Sequence, residues 1–169
     1  HASDLSSDAA LLIEENAKDL GIPVVARYGS IFAPWENESF DYIIDDISGI
    51  AEDVAAISPW FSKTSCRSGK DGSDLVIEAI TNAPDHLNEG GKFFFPVLSL
   101  SNSKKIIEAA SETFTKVQRI AHKEWRLPDE LKSHMDTLVD LRSKGLIHFE
   151  EKYGWLLWST DVYMAESPR

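Results

Sequence analysis

An α/β fold with a mostly parallel sheet is predicted for this 169-residue chain by three observations. Apolar segments of strand length alternate with segments of helical period. The helical segments are stopped by Gly or Pro. One strand, Tyr42-Ile43-Ile44, is apolar throughout, as strands buried on both faces of a parallel sheet are. Asp45-Asp46 follows it directly, and open parallel sheets bind ligands beyond the carboxyl ends of their strands. Two adjacent acids there must face water, a ligand or a hydrogen-bond donor, because burying them unpaired is costly. Taken alone the pair reads better as solvated turn residues; its surroundings make it a candidate site.

The elements follow in order. Ala2 to Asp8 is the tail of a strand running into a helix cap, with Ser6 or Ser7 accepting from the first-turn N–H groups and Asp8 suiting the positive end. Ala9, Leu12, Ile13, Ala17 and Leu20 recur at helical spacing and Gly21 ends that helix. Pro23 to Tyr28 is the next strand, closed by Gly29-Ser30-Ile31-Phe32. After the strand ending in Asp45-Asp46, Ile50, Val54 and Ile57 mark a short helix that stops before Pro59. Ser73 caps a helix carrying Leu75, Val76, Ala79, Ile80 and Leu87, terminated by Glu89-Gly90-Gly91. Lys92 to Leu98 is another buried strand, bent or bulged near Pro96, and Ile106, Ile107, Ala110 and Phe114 line the next helix. Lys116 to Glu124 alternates as an antiparallel strand does. Pro128 to Lys144 reads as one helix, with Leu131, Met135, Leu138, Val139 and Leu141 on one side. Ile147 to Met164 then reads as a hairpin turning at Glu151-Lys152-Tyr153-Gly154.

Composition bounds the function. The length is that of one domain, and 43% hydrophobic with 27% charged residues is ordinary for a soluble globular protein. A formal charge of -11 repels phosphate backbones and disfavours nucleic acid as a partner. The close basic cluster Lys63, Arg67 and Lys70 lies in a polar segment, 62–72, expected to be an exposed loop. The lone Cys66 forms no internal disulfide, which points to an intracellular, cytoplasmic setting, and no neighbouring base activates it. No apolar run is long enough to cross a membrane and no secretory signal is present. His86, His122, His134 and His148 have no partner at metal-ligand spacing, so no metal is expected. Trp60, Trp125, Trp155 and Trp158 are most simply core or helix-covering aromatics; Pro59-Trp60-Phe61, a short helix beyond Asp46, is the candidate wall of a substrate pocket.

A strand ending in Asp4, one ending in Gly29-Ser30-Ile31-Phe32, one ending in Asp45-Asp46, and Leu87-Asn88-Glu89-Gly90-Gly91-Lys92-Phe93-Phe94-Phe95 form an ordered set. Together they resemble the class I S-adenosylmethionine-dependent methyltransferases, particularly the small-domain enzymes that modify release factors, ribosomal proteins and ribosomal RNA. The likeness covers about residues 2–124 and extends loosely to the hairpin. It implies a Rossmann-like sheet with helices on both faces, and S-adenosylmethionine as cofactor. It also implies roles: Asp4 on the ribose hydroxyls, Leu5 against the adenine, Ser30-Ile31 beside the adenine with Ser30 where the family usually has Asp, and Asp45 within the cofactor rim. Asp46 falls where many relatives carry the Asn of Asn-Pro-Pro-Tyr, here Asp46-Ile47-Ser48-Gly49; an ionised Asp accepts hydrogen bonds and orients an amine or acts as general base toward a hydroxyl. Without the resemblance Asp4 reads as a helix-capping residue.

The family's first strand and its glycine-rich turn have no counterpart before Asp4, and the chain opens with His1. It is therefore expected to be the later part of a methyltransferase, a single partial domain over 1–169 with a helical insertion at about 128–144. The strands ending at Asp4 and Asp46 then flank an absent central strand. Their edges should be paired by a second copy, by an N-terminal segment, or by each other, because unpaired buried backbone is rare. The function implied is methyl transfer to a protein side chain or small molecule; the alternative is a degenerate Rossmann-like domain that binds a partner and catalyses nothing.

Overall fold

A computed structural model describes residues 1–47, 49–61 and 66–169. Strand β1 (Ala2–Asp4), helix α1 (Ser7–Leu20) and strand β2 (Ala26–Tyr28) form a parallel βαβ unit, with Ala2, Ser3 and Asp4 opposite Ala26, Arg27 and Tyr28. Ser6 caps α1 by accepting from the Ala9 N–H, and Gly21 closes it in the left-handed conformation that glycine reaches without a Cβ penalty. Only Ala10 and Ala17 of this helix are buried; Leu12 and Leu20, expected on the buried stripe, face solvent.

The second sheet has the order β3-β4-β7-β5, with β6 on β7. Strand β3 (Phe40–Ile44) runs parallel to β4 (Leu87–Leu98). β4 lies antiparallel to β7 (Trp155–Pro168), and β7 antiparallel to both β5 (Phe114–Arg126) and β6 (Glu150–Lys152). The α/β class and the C-terminal antiparallel strands are as expected, with parallel pairing confined to β1–β2 and β3–β4 in a mixed arrangement. Tyr153 and Gly154 both have positive φ, 54° and 76°, the two-residue turn whose twist suits a hairpin.

Between the strands lie α2 (Glu52–Ile57), α3 (Asp74–Asn82), α4 (Ser103–Thr113), α5 (Asp129–Lys132) and α6 (Met135–Ser143). Two cores result. Phe93, Phe95 and Val97 on one face of β4 pack with Ala165 against Val76 and Ile80 of α3 and Ile106 and Ala110 of α4. Beyond the end of β4, Ile50, Val54, Leu100, Leu127, Leu138 and Phe149 join α2, α5 and α6. Each such fully buried side chain stabilises the fold by about 1.5–3 kcal/mol.

Several expectations are corrected. Tyr42 and Ile44 are 69% and 78% exposed, because they alternate with Ile43, which alone turns toward the α3/α4 core, and so point to the opposite face of the sheet; β3 pairs only with β4 among the described residues. The single helix over 128–144 is two helices broken at Ser133-His134, where Ser133 Oγ donates to the Glu130 carbonyl and Val139 is exposed. Gly90 and Gly91 lie within β4, not at a helix end; they occupy a bulge between the Phe40 and Tyr42 pairings, and a Cβ on Gly91 would sit 3.0 Å from the Phe40 carbonyl. The segment before α3 is not an exposed loop: Ser68, Asp71 and Ser73 are buried, while residues 62–65 lie outside the described ones. Trp60, Trp125 and Trp155 are surface aromatics rather than core. Direct pairing of the strands ending at Asp4 and Asp46 does not occur, since β1 and β3 belong to different sheets. The two units meet through Trp35, buried, which donates through Nε1 to Ser3 Oγ at 3.0 Å and sets its ring edge-on to Phe40 of β3, through the His1 ring 5.3 Å from Phe40, and through Ile31 and Phe32 packed toward the α3/α4 core.

Candidate functional site

The carboxyl ends of the parallel strands carry the candidates. Parallel register sets Asp4 beside Tyr28, and the Gly29 N–H donates to the Asp4 carbonyl at 3.0 Å, so Ser30-Ile31 begins next to Asp4. The Asp4 carboxylate is exposed; Oδ1 accepts from the Ser6 N–H at 2.7 Å, tying down the entry to α1, and Oδ2 makes no bond among the described residues. Leu5 beside it is 60% exposed. Ser30 accepts the Ala33 N–H through its carbonyl, which turns the chain, and Ile31 takes φ 47° while its side chain packs toward the α3/α4 core. A β-branched residue in that region is strained by about 1–3 kcal/mol, a cost that clusters at ligand-binding turns.

Asp45 and Asp46 differ sharply. The Asp45 N–H donates to the Phe94 carbonyl at 2.8 Å, continuing the β3–β4 ladder, and its Oδ1 accepts from the Ile47 N–H at 2.8 Å. Its Oδ2 is buried without a hydrogen-bond partner among the described residues. Burial pushes the Asp45 carboxyl up to about 7; the Ile47 N–H opposes this and the neighbouring Asp46 charge adds to it. Asp46 is exposed. Ser48 of the Asp46-Ile47-Ser48-Gly49 segment lies outside the described residues.

Asp4, Leu5, Ser30 and Ile31 are thus brought together at the end of the βαβ unit, while Asp45 and Asp46 cap the neighbouring sheet. Trp60 instead packs on Trp158, ring centroids 5.3 Å apart, and Phe61 joins the second core, so neither touches Asp45 or Asp46 among the described residues. A cavity of about 300 Å³ beside α1, lined by Ala10, Leu11, Ala26 and Tyr28, holds none of the predicted site residues. A second, polar one of about 250 Å³ lies between β5, β7 and the segment before β6. It gathers His122, His148 and Asp161, which sequence reasoning left scattered because only strand register joins them. No set of three or more His, Cys, Asp or Glu side chains suits a metal among the described residues. No helix among those residues is long and apolar enough to cross a membrane.

Tested against S-adenosylmethionine, the residues fit its nucleoside half. An exposed carboxylate with one oxygen unspent suits a diol, and apolar Leu5 and Ile31 flank it. The buried Asp45 Oδ2, without a partner among the described residues, is a further atom able to take a hydrogen bond.

Solved structures similar to this chain include a ribosomal protein L11 methylase from Lactobacillus delbrueckii subsp. bulgaricus, at 18% identity and TM-score 0.47, covering 94% of this chain and 54% of that one. Another is a methyltransferase from Pyrococcus furiosus, at 13% identity and TM-score 0.47, covering 98% of this chain and 61% of that one. The chain therefore spans a little over half the length of each. No protein-family model matches the sequence, and no curated protein does.

Proposed function

We propose that this chain serves S-adenosylmethionine-dependent methyl transfer to a protein side chain or small molecule. The observation that supports this best is the placing of Asp4 beside Ser30-Ile31 by the Gly29–Asp4 bond, with an exposed carboxylate and the exposed Leu5 next to it. In this reading Asp4 accepts from the ribose hydroxyls, and Leu5 and Ile31 wall the adenine. Ser30 stands at its edge, and Asp45 contributes its unpaired oxygen. The bound cofactor supplies a methyl group already activated on a sulfonium, so the protein's work is alignment. Exposed Asp46 orients the acceptor and takes its proton where the acceptor is a hydroxyl or amine. The charge of -11 favours neutral or basic acceptors over nucleic acid.

Calorimetry with S-adenosylhomocysteine tests this, on the chain as it stands and on a form extended at its N-terminus. Binding that is weakened at least about tenfold by Asp4→Ala is the expected outcome, about 1.4 kcal/mol. No heat from either form would sink the proposal.

A second reading is favoured by the β3 edge, unpaired among the described residues: the domain pairs with a partner strand and catalyses nothing. The exposed Tyr42 and Ile44, and the separation of β1 from β3, support a strand supplied by a second copy or an N-terminal segment. Light scattering showing a monomer at all concentrations, with unprotected β3 amides in a longer form, would dismiss it.

A further inference from the structure

The polar groove between β5, β7 and the segment before β6 has no part in the proposed methyl transfer, yet its charges are ordered. Pairing with β7 sets Arg119 opposite Tyr163, His122 opposite Asp161, and Glu124 opposite Ser159, with Glu150 of β6 opposite Leu157. At one end Asp161 accepts from His122 Nδ1 at 2.6 Å and meets Arg119 Nη1 at 3.5 Å, so a single carboxylate serves a guanidinium and an imidazole. Arg119 keeps most of its N–H groups unspent. At the other end Lys152 Nζ bonds both oxygens of Glu124, at 2.9 and 3.2 Å, with Glu150 beside it, so two carboxylates share one ammonium. Ser99 and His148 close the groove midway, joined by the His148 N–H to the Ser99 carbonyl, and the His148 ring makes no bond among the described residues.

The groove therefore sets a guanidinium and an imidazole, balanced by Asp161, at one end and two carboxylates, sharing Lys152, at the other. Arg119 and Glu124 are opposite β7 residues four apart, about 13 Å along the strand. Their side chains shorten the span a ligand must cross to about 7–10 Å, two or three residues of extended chain. We propose that this groove binds a small zwitterion, its carboxylate on Arg119 and His122 and its ammonium on Glu124 and Glu150. The volume of about 250 Å³ accommodates a short peptide or a long amino acid. Arg119 is suited to the carboxylate because its fork matches two oxygens at once.

Calorimetry and histidine-ring NMR on the chain test this with triglycine, its N-acetyl form, its C-terminal amide, and free lysine. Expected is triglycine or lysine binding in the millimolar range or tighter, with shifts in the His122 and His148 rings; which of the two binds tells a peptide from an amino acid. Removing either terminal charge of the peptide, or making Arg119→Met or Glu150→Gln, should weaken binding about tenfold or more. Lys123→Met should not, since that ammonium lies over the Trp125 ring instead. Equal binding of free and capped peptides would overturn the proposal, as would no response to either zwitterion at about 20 mM.

Discussion

Asn102 holds Asp71 twice: its backbone N–H donates to the Asp71 carbonyl at 2.8 Å, and its side-chain amide to Asp71 Oδ2 at 3.1 Å. The other oxygen accepts from the Ser73 N–H and hydroxyl, at 3.2 and 2.6 Å, and Lys105 stands 3.5 Å away. This knot seats the segment before α3 against the start of α4. Burial alone would raise the Asp71 carboxyl, but the bonds from Ser73 and Asn102, helped by Lys105, hold it below its ordinary value.

A depressed folded value means that Asp71 adds stability above the unfolded carboxylate range and loses it as pH falls through the folded one. Asp71→Ala should lower stability at pH 7 by about 1–3 kcal/mol, the cost of leaving buried donors unpaired. Urea unfolding at neutral and acid pH checks this. The gap between variant and parent should shrink on acidification below about pH 4, and a constant gap would show that Asp71 is not bonded as an anion.

Asp45 gives the opposite sign. Its folded value, near 7, lies above the unfolded one, so the native state holds a proton that the unfolded chain has released. Stability should therefore fall as pH rises from about 4 to 7 and level off beyond. Asp45→Asn removes that slope. Relative to the parent the variant should gain between pH 5 and pH 8 by about 3 kcal/mol, since about two of the three pH units that separate the folded and unfolded values lie above pH 5. Equal differences at both pH values would show that the Asp45 carboxyl is not buried in solution.

Tyr42 and Ile44 face outward from an edge strand, so Tyr42→Lys and Ile44→Lys should each change the stability of an isolated chain by no more than about 0.5 kcal/mol. If another strand docks there, the same changes should abolish self-association or partner capture, because an edge lysine blocks pairing. Thermal melts and sedimentation separate the two. Loss of several degrees in the melt of a monomer would mean that these side chains are buried within the chain itself.

Much of the framework was legible because local chemistry decided it. Ser6 caps α1 and Gly21 ends it; Phe93, Phe95 and Val97 alternate with half-buried neighbours; Tyr153-Gly154 turns the hairpin. The strand-end positions of Asp4, Ser30 and Asp46 followed from the same pattern. What was not legible depended on pairing across long sequence distances. An apolar run such as Tyr42 to Ile44 looks the same at a sheet edge as at its centre, and Trp125 looks the same on an open face as in a core. The two carboxylates of the rim also carry nothing in their spelling to say that one oxygen of Asp45 is enclosed while Asp46 is exposed; Asp45 is still held in the β3–β4 ladder by its N–H to the Phe94 carbonyl. His122 and Asp161 meet only because β5 and β7 align in one register.

Gly72 shows how closely the segment before α3 approaches the chain beyond the candidate rim. It takes φ 74°, and a Cβ there would lie 2.4 Å from the Ile50 carbonyl carbon and 2.5 Å from the Ala51 nitrogen, neither of which can swing aside. Ala51 is itself held by its N–H to the Leu100 carbonyl at 2.9 Å, so the backbone is fixed from both sides. Gly21 offers the comparison, with φ 66° and open space around its missing Cβ. Gly21→Ala should cost only the left-handed conformation, about 1 kcal/mol. Gly72→Ala adds a steric clash with backbone and should cost about 3 kcal/mol or more, in the range reserved for disrupted packing. Denaturant melts of the two variants measure the difference directly. Equal losses would mean that the segment carrying Asp71 and Gly72 does not lie on Ile50-Ala51 in solution, and that the chain leaving Asp45-Asp46 is positioned by something else.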